Sequence, residues 1–351
     1  MQIDAIDTPA VLIDLDLVTA NLARAQDYAN AQGLALRPHV KTHKLPRFAH
    51  AQMALGAIGI TAQKLGEAEA MADGGLTDIF LPYNILGPAK LTRLKALHDR
   101  VMLSVTADSL ITVAGYAVTF VAAHPLSVLV ECDTGAGRCG VQTPAEAVQL
   151  AQAIAAAPGL RFAGLMVYPL RGGMARTQSW LAQAVEMLTA VNLPPDVIST
   201  GGTPDLWQAH RVGLATEHRP GTYIYSDRMQ VAFGHGTLSD CALTVLATVV
   251  SRPTPTRAVL DAGSKALAYD PCPAPGHGHI RAYPDAVISG LSEEHAVVDL
   301  TGCSEKPQIG ERIQIIPNHA CVVTNLFDRV HLMRGDKVEE VAVVTSRGRL
   351  G

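Results

Sequence analysis

The chain has 351 residues, 48% of them apolar, and a net charge of -4, which supports a large core with room for one big domain and a smaller one. That charge lacks the basic excess of a nucleic-acid surface, and no run of about 18 apolar residues is present to span a membrane. The opening residues Met1–Asp7 have neither the basic nor the apolar region of a signal peptide. The six cysteines (Cys132, Cys139, Cys241, Cys272, Cys303 and Cys321) show no paired spacing and no CxxC, so they read as thiols of a reducing, cytoplasmic compartment.

In chain order, Ala10–Leu15 reads as a short strand behind the turn Asp7-Thr8-Pro9. Asp16 offers an N-cap for a helix over Leu17–Gln32, which Gly33 stops. Apolar runs then recur at Leu36–Val40, Ala57–Ala62, Asp78–Pro82, Val101–Val105, Leu126–Cys132, Arg161–Tyr168, Asp196–Ser199 and Leu214–Thr216. Helical segments lie between most of them, including Lys64–Asp73, Trp180–Val191 and a helix to Ala157 behind the cap Thr143-Pro144-Ala145-Glu146. Eight strands alternating with helices predict a parallel (β/α)8 TIM barrel. A doubly wound sheet would call for a Gly-x-Gly-x-x-Gly turn after the first strand, and there is none.

After about Gly236 strands follow one another through turns, at Leu243–Val250, Arg257–Leu260, Ala296–Leu300, Arg312–Ile316, Cys321–Thr324 and Glu339–Thr345. The expected domains are therefore a barrel over residues 17–236 and a β-rich domain over 237–351 that takes in the N-terminal strand, residues 1–16.

Active residues of such a barrel sit at the C-terminal ends of its strands. Lys41 leaves the strand Leu36–Val40 there, where desolvation favours the neutral amine that Schiff-base chemistry needs. Taken alone, a solvated lysine on a basic loop is the more ordinary reading. The loops after strands seven and eight change that. Gly201-Gly202-Thr203 and Gly221-Thr222-Tyr223 offer backbone N–H groups and hydroxyls in the usual phosphate position of the fold. A lysine at one strand end and a phosphate cradle at others ask for pyridoxal 5'-phosphate.

The chain resembles the fold type III, alanine-racemase-type pyridoxal-phosphate enzymes, in the branch of the D-threonine aldolases and eukaryotic-type D-serine dehydratases. The matching residues are Asp7-Thr-Pro9, Arg37-Pro-His-Val-Lys-Thr-His43, Gln63-Lys-Leu-Gly-Glu-Ala-Glu69, Asp133-Thr-Gly-Ala-Gly-Arg-Cys-Gly140, Gly201-Gly-Thr203, Pro220-Gly-Thr-Tyr223, Ser292-Glu-Glu-His295 and Pro317-Asn-His-Ala-Cys321. The resemblance implies that Lys41 carries the cofactor, Arg138 lies by its ring, Tyr168 contacts the ring, and Gly201, Gly202, Thr203, Gly221, Thr222 and Tyr223 line the phosphate end. It also implies a homodimer and a small D-amino acid substrate.

His319 and Cys321, one residue apart in an expected strand, would face the same side. Alone, a core cysteine beside a loop histidine is the more ordinary reading. In the resembling family this position binds a divalent metal that touches the substrate's β-hydroxyl. The dehydratases present histidine and cysteine there, and the aldolases mostly histidine and aspartate. A thiolate favours zinc over manganese. His277 and His279 read as a solvent-side loop. The chain departs from the aldolases at Met174, where they carry a histidine six residues after the tyrosine, held to help deprotonate the β-hydroxyl. Arg171 in that segment would suit an acidic substrate group or solvent. The expected function is a pyridoxal-phosphate- and metal-dependent lyase of β-hydroxy D-amino acids such as D-serine, D-threonine or 3-hydroxy-D-aspartate. Dehydration is modestly favoured; retro-aldol cleavage and amino-acid racemization are the alternatives.

Overall fold

The computed structural model describes residues 2–351. The chain forms two compact units, one of residues 25–41, 46–221 and 349–351, the other of the residues up to Arg24 with 42–45 and 222–348.

The first unit is a parallel barrel. Its strands are Ala35–Leu36, Ile60–Thr61, Asp78–Leu81, Met102–Ala107, Leu126–Cys132, Leu160–Val167, Val197–Gly201 and Glu217–Arg219. From the second to the eighth each pairs with its successor, and the eighth pairs with the first through Ala35↔Glu217 and Leu36↔His218. A parallel bridge between His39 and Thr61 joins the remaining edge. Helices Pro46–Leu55, Leu65–Asp73, Pro88–His98, Leu110–Ala117, Pro144–Ala156 and Met174–Ala190 alternate with the strands. Thr143 and Glu146 form the expected capping box. Phe80, Leu129, Ala163 and Met166 pack together in the barrel, and a larger core fills the space between strands and helices.

Three local expectations are corrected. Asp14, not Asp16, caps the first helix, accepting from the N–H groups of Asp16 and Leu17 at 3.0 Å, so the helix begins at Leu15. The sixth barrel helix begins at Met174, six residues before Trp180. The eighth strand is Glu217–Arg219 rather than Leu214–Thr216. Three buried ionisable residues do not read as a strand, and they are tolerated because each is satisfied. Glu217 accepts from Arg37 Nε at 2.8 Å and from the Ser199 hydroxyl. His218 meets the Thr200 hydroxyl at 2.9 Å, and Arg219 Nη2 donates to the Val167 carbonyl at 3.0 Å.

The second unit is a nine-stranded, mostly antiparallel sheet. The N-terminal strand Ala10–Asp14 lies antiparallel to Leu243–Thr254 and parallel to Arg329–Arg334. His279 belongs to the strand Gly278–Ile280, paired with Ile316, and is not in a solvent-side loop. No helix among the described residues is long and apolar enough to cross a membrane.

The Arg37–Glu217 pair ties the first barrel strand to the last, with side chains 13% and 4% exposed. Glu217→Leu would leave the guanidinium with Asp78 as its remaining carboxylate partner. The expected cost is about 3–5 kcal/mol in guanidinium denaturation, with the Arg37→Met/Glu217→Leu double variant regaining part of it. Additive losses would show that the two charges are not coupled.

Candidate active site

In the barrel unit, the residues expected from strand ends lie in the loops that leave the C-terminal ends of the strands. Lys41 follows Val40 and is half-buried. No hydrogen bond or ion pair engages its amine among the described residues. The neighbouring lysines are engaged: the Lys44 amine donates to the Ser346 carbonyl at 3.4 Å, and the Lys64 amine lies 3.8 Å from the centroid of the Tyr83 ring. Asp133 accepts from the backbone N–H groups of Gly135 and Ala136, both at 2.8 Å, and so shapes the loop that carries Arg138. The Arg138 guanidinium lies 4.5 Å from the centroid of the Tyr168 ring, which fixes both against one another.

Gly202 adopts a φ of +113°, which calls for glycine, and a Cβ there would lie in van der Waals contact with the Tyr168 ring at 3.4 Å. The Gly202 carbonyl accepts from His218 Nε2 at 2.9 Å. Thr203 Oγ1 accepts from the Gly221 N–H at 3.1 Å, which joins the two glycine loops. A planar ring beside Tyr168 and Arg138 with a phosphate at these loops suits the donors present, so the residues fit pyridoxal phosphate.

The other unit holds the second cluster. Here the expected strand Cys321–Thr324 is the helix Ala320–Leu326, with His319 as its N-cap. The strand before it ends at Pro317, which lacks an N–H for further pairing. The carboxylate of Asp227 then captures the Ala320 N–H at 2.9 Å. The same oxygen meets His319 Nδ1 at 2.8 Å. His319 and Cys321 still interact, but because a helix turn brings them together and not because a strand alternates. Burial opposes a charge on His319, yet the Cys321 sulfur and the Asp227 carboxylate outweigh it and raise the imidazole pKa to about 11. Imidazole and sulfur are a donor set suited to zinc.

Two hydroxyls approach the Cys321 sulfur, Thr42 Oγ1 at 3.0 Å and Thr222 Oγ1 at 3.5 Å. Thr42 is the residue after Lys41, and Thr222 the residue after Gly221. The Thr222 hydroxyl, expected at a phosphate, is thus within reach of the metal-candidate sulfur. Tyr223 is buried in the turn Thr222–Ile224.

Sequence reasoning missed three residues. Asp227 gave no local signal. Arg219, 5% exposed beneath the loops, has a pKa pulled down to about 10 by burial. Glu131, at the end of the fifth strand, is pushed up to about 6 by burial against the pull of Arg138. Both lie within strands rather than after them, so a rule that reads the residues leaving strand ends passes over them. Met174 is buried in the core between strands and helices, so the place of the family histidine is occupied by packing.

Residues 13–229 match the family model described as the alanine racemase N-terminal domain, and residues 242–333 match that of the putative serine dehydratase domain. A D-threonine aldolase from Arthrobacter sp. is 34% identical over 98% of this chain and 93% of its own. The crystal structure of a D-threonine aldolase from Filomicrobium marinum superposes with a TM-score of 0.91 at 33% identity, covering 99% of this chain and 97% of that one. A D-threo-3-hydroxyaspartate dehydratase, solved as a cysteine-to-alanine mutant in the metal-free form, gives 0.87 at 30% identity over 97% and 98%. The chain belongs to the alanine-racemase-type family of pyridoxal-phosphate enzymes, in the branch of the D-threonine aldolases and D-serine dehydratase-like lyases.

Proposed function

We propose that this protein is a pyridoxal-phosphate- and divalent-metal-dependent lyase of β-hydroxy D-amino acids, with dehydration favoured over aldol cleavage, zinc favoured over manganese, and a homodimer as the working form. The observation that carries the reading is the His319–Cys321 pair, anchored by Asp227 and touched by the hydroxyl next to Lys41. The names of the relatives, aldolases and dehydratases of β-hydroxy D-amino acids, support the substrate class. A dehydratase relative described in a metal-free form supports a metal in that enzyme.

Bound pyridoxal phosphate supplies an electron sink for charge left at the substrate's Cα. A divalent cation supplies Lewis acidity to the β-hydroxyl. The chain's own residues then have separable tasks. The Gly201-Gly202-Thr203 and Gly221-Thr222 loops bind the phosphate, while Arg138 and Tyr168 orient the ring. Lys41 would hold the cofactor through its amine, and that amine, when free, would take the Cα proton. His319 Nε2 and Cys321 Sγ hold the cation. Proton removal at Cα with departure of the hydroxyl gives dehydration, then a keto acid and ammonia. Removal of the hydroxyl proton would break Cα–Cβ and release an aldehyde. That second outcome needs a base near the hydroxyl, and the buried Met174 side chain supplies none. This favours dehydration.

Borohydride treatment of the purified protein should fix the cofactor to a peptide containing Lys41, and Lys41→Ala should be colourless. Label at Lys44 or Lys64 would remove the assignment. Gly202→Val should weaken cofactor affinity at least tenfold by equilibrium dialysis, since a β-branched residue does not adopt a φ of +113° without moving the loop and would press against the Tyr168 ring. Retention equal to the parent would count against this phosphate site. Assays of D-serine, D-threonine and 3-hydroxy-D-aspartate, with zinc or manganese, should yield keto acid. Cys321→Ala should lower turnover at least a hundredfold while keeping the cofactor's colour, and Cys321→Asp should move the preference toward manganese. Full turnover after exhaustive chelation would refute the metal's role; aldehyde as the main product would support the aldolase reading.

A further inference from the structure

We infer that Asp227 is a positioning residue for the cation site: it sets the tautomer and direction of the His319 imidazole and thereby the affinity for metal. The inference rests on the metal reading proposed above.

Asp227 is fully buried. One of its oxygens accepts from His319 Nδ1 at 2.8 Å and from the Ala320 N–H at 2.9 Å; the other caps the short helix Arg228–Ala232 through the Gln230 N–H at 2.9 Å. The oxygen that takes the Ala320 N–H also takes Nδ1, so the protein engages that ring nitrogen and leaves Nε2 as the one a cation could use. Cys321 is the group that His319 meets besides Asp227. The ring is thus held at one nitrogen by the protein and offers the other to a cation beside the sulfur. Ser226, just before Asp227, takes a φ of 51°, a conformation that non-glycine residues seldom adopt. A partner that fixes a ligating histidine in this way is worth about 10–100-fold in metal affinity.

The experiment measures zinc and manganese affinity of the cofactor-loaded enzyme by competition with a chromophoric chelator. It compares the parent with Asp227→Asn, Asp227→Ser, His319→Ala and the Asp227→Asn/His319→Ala double variant. Serine retains the ability to cap the helix but cannot reach the imidazole. Both Asp227 variants should bind zinc about 10–100-fold more weakly. Cofactor absorbance should be unchanged, the metal-free melting temperature of Asp227→Ser should stay within a few degrees of the parent, and activity should return at saturating zinc. In the His319→Ala background Asp227→Asn should have no further effect on affinity. Parental affinity in Asp227→Ser, or an equal loss with and without His319, would overturn the inference and leave Asp227 a structural cap. A parent enzyme that binds no stoichiometric metal would instead sink the metal reading, and this inference with it, before any variant is compared.

Discussion

The pairing of the first and last barrel strands governs where the chemistry sits. Parallel register sets Leu36 beside His218, and the ladder continues with the Arg37 N–H on the His218 carbonyl and the His39 N–H on the Pro220 carbonyl. The two strands therefore run out together, one into Lys41-Thr42 and the other into Gly221-Thr222. The Arg37–Glu217 ion pair locks this register from the side-chain layer. A slip of one residue would turn Leu36 and His218 to the opposite faces of the sheet. Buried charge is costly, and here it is spent on holding two neighbouring loop origins in step.

Much of the barrel was legible because its signals are local. The capping box at Thr143 and Glu146, the apolar runs and the glycine pairs are each written within a few residues. The strand-end rule then turned a list of strands into a list of loop residues, from Lys41 through Arg138 and Tyr168 to Thr203. The eighth strand escaped because its burial depends on partners 18 and 180 residues away in sequence, at Ser199 and Arg37. Periodicity cannot report a polar strand whose satisfaction lies elsewhere.

The second cluster shows the opposite case. Val322, Val323 and Thr324 favour a strand by propensity, and the expectation followed them. A single carboxylate 92 residues away in sequence from His319 overrides that preference by capturing the imidazole and the next N–H. The pairing of His319 with Cys321 survives because spacings of one residue can converge at a helix start as well as along a strand. The residue types were readable; the geometry that unites them was not, since Asp227 carries no motif.

The two hydroxyls on the Cys321 sulfur have a thermodynamic meaning. Thr42 and Thr222 are covalent neighbours of Lys41 and Gly221, so the hydroxyls on the sulfur and the residues proposed for the cofactor lie on the same short backbone segments. Whatever free energy an ion gains from ordering those segments, the cofactor gains equally from the ion's presence, because linkage between two binding sites is reciprocal. On the function proposed here, an ion and the cofactor would not be independent additions: whatever coupling one exerts on the other would be returned in full.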